Sequence, residues 1–223
     1  MNGYEFSLAG AQLMALGSGA LYWPAQALLC VSDLHLGKSE RRARLGEAWL
    51  PPYETRDTLI RLDADLTATG ATTVVCLGDS FDDRAAADAL SEAEALQITA
   101  LQAGRRWVWI EGNHDPGPIG LGGAHLAELP LPPLTFRHIA KPGASGELSG
   151  HYHPKVRVRN LSRAAFLIDS DRVILPAYGT YTGGLRSDDA TLTGLLRRDA
   201  LAVLTGLVPR PLPMPRQQIR TRR

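Results

Sequence analysis

The strongest constraint on this chain is the order in which acids, histidines and one asparagine recur along it. Asp33-x-His35 comes first, followed by Gly78-Asp79-x-x-Asp82, Gly112-Asn-His-Asp115, His138 and Gly150-His-x-His153. Five of the six histidines fall in this set. Taken singly, each would read as a satisfied core or surface group. As an ordered set they demand a fold that brings the ends of several separate elements to one place. The donors on offer are imidazole nitrogen, carboxylate oxygen and amide oxygen, which suit borderline and hard divalent cations. No cysteine belongs to the set, so thiolate zinc chemistry is excluded. Two histidines spaced like His151 and His153 share one side of an extended segment.

The segments between these motifs supply such a fold. Ala27–Val31, Thr72–Leu77 and Arg106–Ile110 are short, apolar and rich in β-branched or aromatic residues, and each runs directly into one of the first three motifs. A helix is expected over Glu54–Thr69, ending at Gly70, and a second, continuous one over Ala85–Ala103. Beyond about residue 124 the pattern turns to shorter β-like pieces: Leu134–Arg137, Glu147–Ser149, Val156–Arg159, Ala165–Ile168, Val173–Leu175 and Ala202–Val208. An alternating strand–helix half joined to a mostly β half predicts two packed sheets with helices outside. Ligands of open α/β sheets gather past the carboxyl ends of the strands, which is where the polar motifs fall.

Composition is that of an ordinary globular chain, with 44% apolar and 21% charged residues. Its length suits a single domain, expected over 1–208. Residues 209–223 hold five arginines, four prolines and no acid, and are expected to form a flexible basic tail that either solubilises the end or touches an anionic polymer. No apolar run approaches the ~18 residues of a membrane span, and no leader-like start is visible, so no membrane partner and a cytoplasmic location are expected. Cys30 and Cys76 sit inside apolar runs and read as small core hydrophobes.

The motifs Ser32-Asp-Leu-His35, Gly78-Asp-Ser-Phe-Asp82, Gly112-Asn-His-Asp115 and Gly150-His-Tyr-His153 resemble those of the calcineurin-like metallophosphoesterase superfamily. The resemblance implies a four-layer α/β/β/α sandwich and a binuclear centre. Asp33, His35, Asp79 and His153 would hold one ion. Asp79 as a bridge, with Asn113, His138 and His151, would hold the other. His114 would act beside the metals as general acid or phosphate contact, oriented by Asp115 or Asp33. A narrower resemblance spans nearly the whole chain. Asp33-Leu-His-Leu-Gly-Lys-Ser-Glu-Arg41, Leu50-Pro-Pro-Tyr-Glu-Thr55, Leu77-Gly-Asp-Ser-Phe-Asp-Asp83, Gly150-His-Tyr-His-Pro154 and Leu175-Pro-Ala-Tyr-Gly-Thr-Tyr-Thr-Gly-Gly184 are similar to the bacterial ligase-associated DNA damage response endonucleases. Those are manganese-dependent phosphodiesterases encoded beside a DNA ligase, an exonuclease and a helicase. Ile139, directly after His138, departs from the polar residue that resemblance leads one to expect. The donor types alone would equally accept iron, zinc or cobalt.

Two clusters of cations lie beside the motifs as candidate substrate contacts: Lys38, Arg41, Arg42 and Arg44 after the first, and Lys155, Arg157 and Arg159 after the last. Strand alternation would put the latter three on one face. Such residues pair with phosphates without reading sequence; a plain solvated face is the bland alternative. Tyr152, Tyr178 and Tyr181 are candidates for stacking on bases or for filling the core, and His125 belongs to no motif. The expected activity is hydrolysis of DNA phosphodiesters, in single strands and in repair. The alternatives are a phosphoesterase for a small nucleotide or other small phosphodiester, and a non-catalytic scaffold of the same fold.

Overall fold

The computed structural model describes residues 2–117 and 120–216. Its strands are β1 (Gly3–Leu8), β2 (Ala11–Leu16), β3 (Leu21–Trp23), β4 (Leu28–Val31), β5 (Thr73–Cys76), β6 (Arg106–Ile110), β7 (Ala124–Leu126), β8 (Glu128–Leu131), β9 (Leu134–Arg137), β10 (Glu147–Ser149), β11 (Lys155–Val158), β12 (Leu161–Ile168), β13 (Arg172–Ile174), β14 (Leu201–Leu204) and β15 (Arg210–Pro213). Its helices are α1 (Lys38–Arg44), α2 (Glu54–Thr69), α3 (Arg84–Asp88), α4 (Glu92–Gln102) and α5 (Ala190–Leu195). The first sheet runs β1-β2-β3-β4-β5-β6-β7, antiparallel up to β4 and parallel from β4 onward. The second runs β15-β14-β12-β13-β10-β9-β8, with β9, β10 and β13 parallel, and β11 pairs with β12 alone.

Side-chain alternation sorts the chain into layers. Cys30, Val75, Val108 and Ile110 of the first sheet meet Phe136, Leu148, Phe166 and Val203 of the second, forming the central core. On its outer face the first sheet offers Leu29, Val31, Val74 and Cys76 to Leu59, Leu62 and Leu66 of α2 and to Ile98 and Leu101 of α4. That spacing of three and four is the apolar stripe a surface helix needs. The outer face of the second sheet packs Ala165, Leu167 and Ile174 against Leu192 and Leu196 at α5. The result is the expected α/β/β/α sandwich. Both cysteines are free and buried, as expected of core residues.

Two expectations change, and the chain before Ala27 adds strands of its own. The helix expected over Ala85–Ala103 is two helices: Ser91 caps α4 in a reciprocal capping box with Glu94, and this start signal wins over the periodicity that runs through it. The segment before Ala27 is three antiparallel strands that widen the first sheet. The tail is not free as far as Pro213, because β15 adds an edge strand to β14. Pro211 and Pro213 alternate with donors, so the missing N–H groups all fall on the outward edge, while the Met214 amide donates to the Ala200 carbonyl at 2.9 Å. Arg216 then caps α5 by donating to the Thr193 and Leu196 carbonyls at 3.1 and 3.0 Å. The remainder of the expected tail, residues 217–223, lies outside the described residues.

Candidate metal centre

Parallel pairing of β4, β5 and β6 places their carboxyl ends side by side, so the loops carrying Asp33/His35, Asp79/Asp82 and Asn113/His114 meet there. These loops are stitched by their backbones: the Asp33 and His35 amides donate to the Gly78 and Asp79 carbonyls at 3.2 and 2.9 Å. From the second sheet, His138 follows β9 and His151 follows β10, and the Gly150 amide donates to the His138 carbonyl at 2.9 Å. The two sheets thus deliver the five motifs to one edge of the sandwich.

The ligand-type atoms form two main groups. In the first, His153 Nε2 lies 3.1 Å from Asp33 Oδ1 and 3.4 Å from His35 Nε2. Asp33 is fully buried and accepts from the Ser32 hydroxyl and the His151 amide. Burial pushes its carboxyl up, but His153, His138 and Ser32 together hold it below the usual range. In the second, His138 Nε2 lies 3.3 Å from Asp79 Oδ2, 3.0 Å from Asn113 Oδ1 and 3.2 Å from His151 Nδ1. Asp79 falls in this group by distance, and against the upward push of burial its histidine neighbours bring its pKa down to about 2.

The second group tests whether these residues fit a cation. His138 Nδ1 is 2.7 Å from the Leu77 carbonyl, an acceptor only, so Nδ1 carries the ring proton. In the neutral ring the Nε2 lone pair then faces the Asp79 carboxylate oxygen and the Asn113 amide oxygen, with His151 Nδ1 at 3.2 Å as the one neighbour able to donate to it. The approach of the two oxygens to Nε2 is repulsive unless positive charge sits among the three atoms. The pull toward protonation shows the same need: burial disfavours the imidazolium, yet Asp79 and Asp33 outweigh it and raise the His138 pKa. A divalent ion meets the requirement, and the N/O donor set suits one.

The backbone is held under tension at the same place. Nine non-glycine residues have positive φ among the described residues, and five of them are Asp33, His35, Asp79, His151 and His153, between 44° and 69°. Each such residue costs about 1–3 kcal/mol, a strain that concentrates at sites where geometry matters more than stability. Two glycines make the close approaches feasible. A Cβ on Gly78 would meet the His138 ring at 2.6 Å, and one on Gly150 would collide with Ser32 and Asp33.

His114 sits beside both groups, with its ring edge-on to His35 at 5.2 Å. Its orientation differs from expectation. Neither Asp115 nor Asp33 holds it; His114 Nδ1 lies 2.8 Å from the backbone carbonyl of Asp82. Asp115 instead accepts from the Ser80, Phe81 and Gly112 amides at 2.8, 3.2 and 3.2 Å, clamping two loops together. Burial raises its pKa to about 6. Asp82, the second acid of the GDxxD motif, is the residue whose part in the site was not read from the sequence. Its buried carboxylate faces His35 Nδ1 at 2.9 Å and also meets Lys38 at 3.4 Å and Arg41 at 3.1 Å. Burial pushes this carboxyl up, but His35 and those cations hold it well below the usual range.

The first cation cluster is therefore engaged. Besides Lys38 and Arg41, Arg42 pairs with Glu47 at 3.1 Å and Arg44 with Asp83 at 2.7 Å. Of the second cluster, Lys155 and Arg157 lie on β11, whereas Arg159 turns out of the strand with φ 53° and breaks the expected alternation. Tyr178 is a core residue whose hydroxyl donates to Asp65 at 2.8 Å, which removes it from base stacking. His125 stacks on Trp109 at 6.5 Å, away from the centre.

The calcineurin-like phosphoesterase profile matches residues 27–200. This chain belongs to the calcineurin-like phosphoesterases. It is a metal-dependent phosphoesterase, and the resemblance read from the motifs holds. The solved structure of the Pseudomonas putida nuclease MPE is similar, with a TM-score of 0.75 and 29% identity over 95% of this chain and 100% of that one. No curated protein matches. No described helix of this phosphoesterase is long and apolar enough to cross a membrane.

Proposed function

We propose that this phosphoesterase is a two-ion endonuclease that hydrolyses single-stranded DNA, working in repair beside a DNA ligase, an exonuclease and a helicase in the cytoplasm. The reading is carried by the convergence of the two ligand groups around His114 in a chain that is similar, over 95% of its length, to a solved nuclease. Asp33, His35 and His153 would hold one ion and Asn113, His138 and His151 the other, with Asp79 between them as bridge. Manganese is the ion proposed. Such ions supply Lewis acidity to phosphate oxygens and activate a water.

The chain's own groups do the rest. With Nδ1 donating to the Asp82 carbonyl, His114 keeps Nε2 for the substrate. From its partly exposed position it gives a proton to the departing sugar oxygen, which is a poor leaving group without one. A positioned acid of this kind contributes about 10²–10⁴ in rate. Asp115 keeps the two loops beneath it fixed, and Ser32 holds the Asp33 carboxylate.

The test uses a covalently closed single-stranded DNA circle with manganese, a substrate without ends. Linear product is the expected result. Efficient hydrolysis of nucleotides with an intact circle would overturn the DNA assignment. His114→Ala is expected to keep its metal content and lose about 10²–10⁴ in turnover; unchanged turnover would remove His114 as the acid.

A further inference from the structure

We propose that the β11–β12 hairpin is the track along which a nucleic-acid strand leaves the metal centre, its phosphates held by Lys155, Arg157 and Arg159; this inference rests on the nuclease reading above. Three observations carry it. The first is charge. All four cations of α1 are paired with carboxylates. The hairpin is different: no acid occurs between Pro154 and Ile168, and none of its cations reaches a carboxylate among the described residues. The residues outside that description carry no acidic side chain. Lys155 instead donates to the Thr182 carbonyl at 2.8 Å, and Arg157 to the Arg159 carbonyl at 3.3 Å.

The second observation is which way the face looks. On β12, Phe166 points into the core between the sheets, whereas Ala165 and Leu167 point toward α5. Ala164 shares the face of Phe166 by alternation, and Lys155 lies opposite Ala164 in register with Arg157 opposite Ser162. Val156, between the two cations, is buried on the α5 side. Lys155 and Arg157 thus continue the inter-sheet face beyond the sheet edge, while Arg163 lies opposite Val156 on the other face.

The third observation is continuity with the centre. Lys155 is two residues past His153, and its side chain rests on the 179–184 loop. That loop donates from the Gly179 amide to the Asp33 carbonyl at 3.1 Å, and a Cβ on its Gly184 would collide with the His153 backbone. The face of cations therefore starts where the first ligand group ends. Exposed arginines with no competing carboxylate pair with phosphates and release counterions, which makes binding salt-dependent.

The experiment compares the intact chain with the double variant Arg157→Ala/Arg159→Ala and with Arg163→Ala from the opposite face. A fluorescent oligothymidylate is titrated by anisotropy at several salt concentrations, and hydrolysis of bis(p-nitrophenyl) phosphate is followed in parallel with manganese. The double variant is expected to bind the oligonucleotide at least about tenfold more weakly and to lose about 1.4 from the slope of log affinity against log salt, roughly 0.7 per phosphate contact. Its turnover of the small diester and the binding by Arg163→Ala should stay at the level of the unaltered chain. Unchanged binding by the double variant, or equal weakening by Arg163→Ala, overturns the track while leaving the nuclease reading in place. If the unaltered chain hydrolyses the small diester but neither binds nor cuts the oligonucleotide, both fall together.

Discussion

The two ligand groups are aimed by different means. In the second, the key ring is fixed by backbone: the Leu77 carbonyl accepts from His138 Nδ1, and Gly78 leaves just enough room for the imidazole. In the first, aim comes from a side chain, the Asp82 carboxylate beside His35 Nδ1, itself steadied by Lys38 and Arg41 from α1. A group aimed by backbone is disturbed by adding atoms to a glycine. A group aimed by a side chain is disturbed by changing a residue that never touches the ion. Outer partners of this sort fix ring orientation and ligand basicity.

The largest effect is expected where the groups join. Asp79→Ala should strip both ions and leave diesterase activity at background, as read by metal analysis and turnover; full metal content in that variant would rule out the bridge. Next comes Gly78→Ala, in which the new Cβ would have to share space with the His138 ring at a backbone φ of +80°. The second group should lose its ion and the first keep it, so metal content drops to one per folded chain, with folding checked by circular dichroism. Two retained ions would contradict the backbone-aimed account. The mildest is Asp82→Asn, expected to weaken the first group by about 10–100-fold in metal affinity and to leave the second alone. Equal weakening of both groups would erase the distinction drawn between them.

The same contrast explains what could be read from the sequence. Ligands on the ends of regular strands were visible because the apolar runs Leu28–Val31, Thr73–Cys76 and Arg106–Ile110 mark buried parallel strands and the motifs follow them directly. The helix at Glu54–Thr69 was legible from its glycine stop at Gly70. Contacts made through backbone carbonyls leave no trace in residue identity, so the hold of Asp82 on His114 was invisible, and Asp115 offered itself as the nearer acid. Likewise Lys38, Arg41 and Arg44 read as free for substrate because their partners Asp82 and Asp83 lie about forty residues downstream, and only the fold brings them together. The strand at Arg210–Pro213 has the proline-rich composition of a flexible tail, and only the alternation of its prolines with free N–H groups lets it pair with β14.

Crystals grown with manganese and measured at its absorption edge would test the centre most directly. The account predicts two anomalous peaks in each chain: one enclosed by Asp33, His35 and His153, the other by Asp79, Asn113, His138 and His151. A single peak at saturating manganese, or two peaks away from these side chains, would contradict it.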